Sequence, residues 1–128
     1  MKEDQQKRVL CIEDNSDECE LIQTILAGYD VTCVESIAAA RPLLRRIRYV
    51  LVIIDEHLPD GSGLELCSQL TRREPGTPVI MTSGDPYITQ AEAQEAGARA
   101  LLGKSSQTYV EDIYRFASQC ALRAAAQS

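Results

Sequence analysis

At 128 residues, 45% hydrophobic and 25% charged, the chain has the length and balance of one soluble globular domain, which excludes disordered and fibrous classes. Its formal net charge of −6 argues against a general nucleic-acid surface, which needs a basic stripe to release counterions from phosphates. No apolar run approaches membrane-spanning length, and the opening MKEDQQKR is charged and unlike a signal peptide, so the expectation is a cytoplasmic protein with neither nucleic acid nor membrane as a direct partner.

In chain order, five short apolar runs alternate with longer segments whose apolar residues recur every three to four positions. The runs Val9–Ile12, Val31–Val34, Val50–Ile54, Val79–Met81 and Ala100–Leu102 read as strands of a parallel sheet covered on both faces. The intervening helices are expected at Asp17–Ala27, with Leu21, Ile22, Ile25 and Leu26 inward, then at Ile37–Ile47, Leu64–Arg72 and Pro86–Ala96. A last helix, Gln107–Ala125, carries Val110, Ile113, Ala117 and Cys120 as its inner stripe. Ser36 and Asp85 are candidate N-caps, Gly28 and Gly97 candidate C-terminal glycines, and Pro42 predicts a kink or late start in the second helix.

Such a βα alternation with right-handed crossovers predicts an α/β fold, a doubly wound (βα)5 sandwich around a five-stranded parallel sheet of flavodoxin-like type. The expected organisation is a single domain over 1–128, with its core at about 8–122 and no effector domain. Cysteines at 11, 19, 33, 67 and 120 form no CxxC pair or metal-ligand spacing, so they read as reduced thiols, with Cys11 and Cys33 as small buried hydrophobes. Arg41, Arg45 and Arg48 fall about one helical turn apart and read as a solvated helix face rather than an anion site.

Ligands of doubly wound sheets bind beyond the carboxyl ends of the strands. There the sequence places Glu13 and Asp14 after the first strand, Asp55 at the end of the third, Ser83 after the fourth and Lys104 after the fifth. Three crowded carboxylates either take up protons or hold a hard divalent cation through oxygen, and magnesium suits a site that also admits a phosphate. A carboxylate can attack phosphorus to form an aspartyl phosphate, with a lysine ammonium and a hydroxyl facing the other phosphoryl oxygens. The residues themselves thus point to Asp55 as nucleophile.

In VLCIEDN, VLVIIDEHLPDGSG, PVIMTSG and LLGK the sequence resembles the receiver domain of two-component response regulators, from Arg8 to about Ala121. The resemblance implies that Asp55 is the phosphoacceptor for a sensor histidine kinase or phosphotransfer protein. It implies Mg2+ held by Asp14, Asp55 and the backbone carbonyl of His57, with Glu13 acting through a metal-bound water. It makes Ser83, rather than Thr82, the hydroxyl residue, because its distance from Pro78 fits the family pattern. It also implies an output face on the fourth and fifth helices with the strand between them, and a signalling switch that catalyses its own phosphotransfer and autodephosphorylation. No exposed apolar stripe in the sequence marks a dimer face, and the expectation is a monomer or weak homodimer.

Against the family pattern, Leu101 stands where an aromatic switch residue is usual and Ser105 where a proline follows the lysine. His57 and Asp85 occupy positions that flank the path of the hydrolytic water and are expected to tune dephosphorylation. Two other classes compete. A haloacid dehalogenase-type hydrolase would need a second Asp where His57 stands, and a phosphorylation-independent pseudo-receiver would explain Leu101 and Ser105 but not the intact acidic set.

Overall fold

The computed structural model describes residues 7–127. Strand β1 (Arg8–Ile12) leads into helix α1 (Ser16–Ile25), then β2 (Asp30–Val34), α2 (Ile37–Arg46) and β3 (Leu51–Asp55). A two-residue hairpin, β4 (His57–Leu58) and β5 (Gly61–Ser62), precedes α3 (Gly63–Arg73), β6 (Val79–Ser83), α4 (Gln90–Glu95), β7 (Leu101–Gly103) and α5 (Tyr109–Gln127).

The long sheet has the order β2-β1-β3-β6-β7, with every ladder parallel. Strand order reverses between β1 and β3, and the acidic residues lie beyond the ends of those two strands.

Strand alternation sorts the core into two layers. Val9, Cys11, Leu51, Ile53 and Ile80 pack with Ile22 and Leu26 of α1 and with Tyr109, Ile113, Ala117 and Cys120 of α5. Leu10, Ile12, Val52, Ile54, Val79 and Met81 pack with Ile37 and Ala40 of α2, with Leu66, Cys67 and Leu70 of α3, and with Ala93. Every residue of β3 and β6 is buried, and each such Ile, Leu or Val contributes about 1.5–3 kcal/mol of transfer free energy. The strand that ends on Asp55 is therefore fixed by burial along its whole length.

Several local expectations are corrected. Helix α4 begins at Gln90, four residues after Pro86, because Thr89 rather than Asp85 caps it, in a capping box with Glu92. Helix α2 starts at Ile37 with Ser36 as N-cap and runs through Pro42, so there is no late start. Asp60 adds a second cap, accepting the Ile37 and Ala38 amides at 2.9 Å each and tying the hairpin to α2. Gly28 is not in the left-handed region, since α1 ends earlier with Leu26 as its cap, whereas Gly97 has φ +103°. On the inner stripes, Leu21 and Val110 are exposed and Tyr109 is buried instead. The arginines at 41, 45 and 48 are exposed, and the five cysteines are free thiols.

Candidate functional site

The rim beyond β1, β3, β6 and β7 gathers the expected polar residues. Glu13 follows β1 at 3% exposure and Asp55 ends β3 at 6%, while Asp14 is open to solvent. Oxygens of these three carboxylates lie within 4.8 Å of one another, close enough to share one cation. Hard carboxylate oxygens with solvent access on one side suit magnesium, which keeps several of its waters.

Lys104 reaches into this cluster from the loop after β7. Its Nζ lies 2.5 Å from Oε1 of Glu13 and 3.1 Å from Oδ1 of Asp55. The Lys104 amide also donates to the Ser83 carbonyl at 2.9 Å, so the lysine is placed by an extension of the β6–β7 ladder. Serine at 105 does not displace it, and the described residues contain no cis peptide.

Burial pushes the Asp55 carboxyl above its usual range, Lys104 draws it back, and the Asp14 charge pushes it up again. Glu13 is likewise raised by burial, against the hydrogen bond from Lys104. Burial acts to lower Lys104, but its contacts with Glu13 and Asp55 outweigh that, so its ammonium is held charged more firmly than usual. The result is a desolvated carboxyl group beside a firmly charged ammonium.

Ser83, at the end of β6, is 1% exposed, and its Oγ has no hydrogen-bond partner. Such a hydroxyl is an unused donor on the strand beside the one that ends on Asp55. Gly63 shapes the floor: a Cβ there would run into the Asp55 carbonyl, and its amide donates to the Glu56 carbonyl at 2.9 Å. Only glycine allows α3 to start so close to the end of β3.

His57 is exposed, and no hydrogen bond or ion pair joins it to Asp85 among the described residues. Its ring instead meets Tyr87 edge-on, with centroids 5.1 Å apart at 82°. Leu101 is 7% exposed and packs in the core.

Two residues that the sequence left unremarked belong to this region. Glu56 is buried and accepts the Tyr87 amide at 2.9 Å through Oε1. Gln90, in the first turn of α4, grips both backbone groups of Leu101 on the edge strand.

This chain matches the family model described as the response regulator receiver domain over residues 9–111. The chain belongs to that family. Among curated relatives, the receiver is 36% identical over 101 residues to response regulator protein PilR of Pseudomonas aeruginosa, covering 77% of this chain and 23% of that protein. It is 32% identical over 105 residues to the sensory/regulatory protein RpfC of Xanthomonas campestris pv. campestris, covering 76% of this chain and 14% of that one. The chain thus spans less than a quarter of the length of either relative.

A CheY-like receiver domain from Methanospirillum hungatei superposes with a TM-score of 0.82 at 22% identity, covering 95% of this chain and 98% of that one, which supports the fold. A response regulator from Burkholderia pseudomallei, solved with a phosphorylated aspartic acid, calcium ion and citrate, matches at TM-score 0.76 and 27% identity over 94% of this chain and 72% of that one. As the fold predicts, the receiver has a five-stranded parallel sheet with five helices, and none of its described helices is long and apolar enough to cross a membrane.

Proposed function

We propose that Asp55 of this receiver accepts a phosphoryl group from the phosphohistidine of a sensor histidine kinase or phosphotransfer protein. The observation that carries this is the placement of Lys104 Nζ 3.1 Å from a buried Asp55 carboxylate that shares its rim with Glu13 and Asp14. The relative solved with a phosphorylated aspartic acid supports the same reading.

Asp14, Asp55 and the backbone carbonyl of His57 would hold magnesium, with Glu13 reaching it through a water. Bound there, the cation supplies charge neutralisation for a phosphoryl group approaching a carboxylate. A carboxylate oxygen of Asp55 attacks phosphorus as the bond to the histidine nitrogen breaks; that nitrogen keeps the electron pair, and with a proton on the other ring nitrogen the histidine leaves as neutral imidazole and Asp55 becomes an aspartyl phosphate. Lys104, already charged and partly desolvated, turns toward the new phosphoryl oxygens, so little reorganisation is needed at the moment of transfer. Ser83 Oγ then gains the partner it lacks by donating to a phosphoryl oxygen.

By the family pattern, His57 and Asp85 would flank the path of a hydrolytic water, and we assign them a part in setting the phosphoryl lifetime. A downstream protein would read the face made by α4, β7 and α5. The exposed Val110 and Tyr114, one turn apart on α5, support a protein contact on that helix. With Lys104 seated beside Asp55, no observation favours the phosphorylation-independent alternative.

The test is transfer from a phosphorylated histidine-containing phosphotransfer protein, with magnesium or with a chelator in excess. Label on the receiver in magnesium and none in chelator supports the assignment; equal labelling in both removes the cation from it.

A further inference from the structure

We propose that Glu56 is the positioning residue that carries the state of Asp55 to the loop beyond Ser83: it clasps that loop in the unphosphorylated receiver, and phosphorylation opens the clasp. This rests on Asp55 being the phosphoacceptor. Glu56 is the next residue along the chain, and its own amide donates to the Thr82 carbonyl at 2.9 Å, so it is fastened to the ends of both β3 and β6. Its side chain, 4% exposed, crosses to the loop at residues 84–88 and accepts the Tyr87 amide at 2.9 Å. Among the described residues this is the one hydrogen bond that ties that loop to the rest of the receiver.

The clasp is only half made. Oε2 of Glu56 has no hydrogen-bond partner, and Nε2 of His57 stands 3.8 Å away, beyond hydrogen-bonding distance. A buried carboxylate oxygen left unsatisfied costs free energy in the clasped arrangement, and opening the clasp to water relieves that cost. The edge-on contact between His57 and Tyr87 joins the same two segments a second time, so both ties would break together.

The far end of the loop is anchored differently. Gln90 donates to the Leu101 carbonyl at 2.5 Å and accepts its amide at 3.1 Å, which makes the start of α4 and the edge strand β7 one unit. Between this anchor and Ser83, residues 84–87 are exposed. When Ser83 turns to a phosphoryl oxygen it draws Gly84 toward Asp55, and the strain falls on the Tyr87 amide, four residues beyond Ser83. Leu101, buried and aliphatic, has no ring to rotate inward, so the visible consequence of phosphorylation is the release of Tyr87, which is already 79% exposed.

The experiment follows the Tyr87 amide by nuclear magnetic resonance and hydrogen exchange, with intact mass measured on the same samples after a small phosphodonor and magnesium are added. In the wild type the amide is expected to be protected, and to lose that protection in step with phosphoryl incorporation. Glu56→Ala should release it without any donor and take up phosphoryl several-fold faster, whereas Glu56→Gln, whose carbonyl can still accept, should behave as the wild type. A phosphorylated wild type with an unchanged Tyr87 amide overturns the clasp while leaving the phosphoacceptor reading intact. A Gln variant that exchanges as fast as the Ala variant also overturns it. No phosphoryl on the wild type overturns both.

Discussion

Nζ of Lys104 stands 3.1 Å from Oδ1 of Asp55, and the same nitrogen bridges to Glu13, so one ammonium offsets two buried carboxylates. The backbone holds it there by a single ladder bond to Ser83, without a proline after the lysine.

Replacing Lys104 with Met keeps the stem and removes the charge. The rate of phosphoryl uptake from a small donor should fall by roughly 10²-fold, the size expected for losing one preorganised electrostatic partner of the transition state. An unchanged rate in a time course by intact mass would show that the ammonium plays no part in transfer.

Ser83 is buried with an unpartnered hydroxyl, so removing that hydroxyl should leave the unphosphorylated receiver as stable as before, or more stable by up to about 1 kcal/mol, because an unsatisfied group is lost. Urea unfolding of Ser83→Ala checks this. A loss well beyond that size would mean that the hydroxyl is bonded in the resting state.

A methyl group at Gly63 meets the carbonyl of Asp55 with nowhere to go. Gly63→Ala should destabilise by about 1–3 kcal/mol, as overpacking does, and should also slow phosphorylation by shifting Asp55. Stability and rate both at wild-type values would contradict the close approach of α3 to β3.

The buried Tyr109 hydroxyl donates to Oε2 of Glu18 at 3.1 Å, and burial, together with the Glu18 charge, pushes its pKa upward. The folded state therefore keeps this proton after the unfolded chain has released it near pH 10. Stability is unaffected below that pH and should fall as pH rises through and above it, since the unfolded state then binds fewer protons than the folded one. In Tyr109→Phe the part of the alkaline loss due to this group should vanish, at a cost of about 1 kcal/mol at neutral pH. Identical alkaline slopes in both proteins would show that Tyr109 is not held protonated by the fold.

The parts of this architecture legible in the sequence are those written in periodicity. The strand that ends on Asp55 is an uninterrupted apolar run and the one that ends on Ser83 begins as the run Val79–Met81, and the topological rule for doubly wound sheets brings their ends together. What periodicity cannot show is tertiary hydrogen bonding. Glu56 reads as the first polar residue of a loop, yet it is buried because the loop after β6 folds back over it. Gln90 reads as a helix surface residue, yet it grips an edge strand. The start of α4 was written in the Thr-Gln-Ala-Glu capping pattern, but Asp85 before Pro86 offered a competing local signal. The capping box won because it satisfies two amides at once.

The central claim is that Asp55 is the group that takes phosphate. Its most direct test is intact mass after incubation with a small phosphodonor and magnesium, run in parallel on the wild type and Asp55→Asn. The prediction is the addition of one phosphoryl group to the wild type and none to the variant. Addition to both proteins, or to neither, would contradict it.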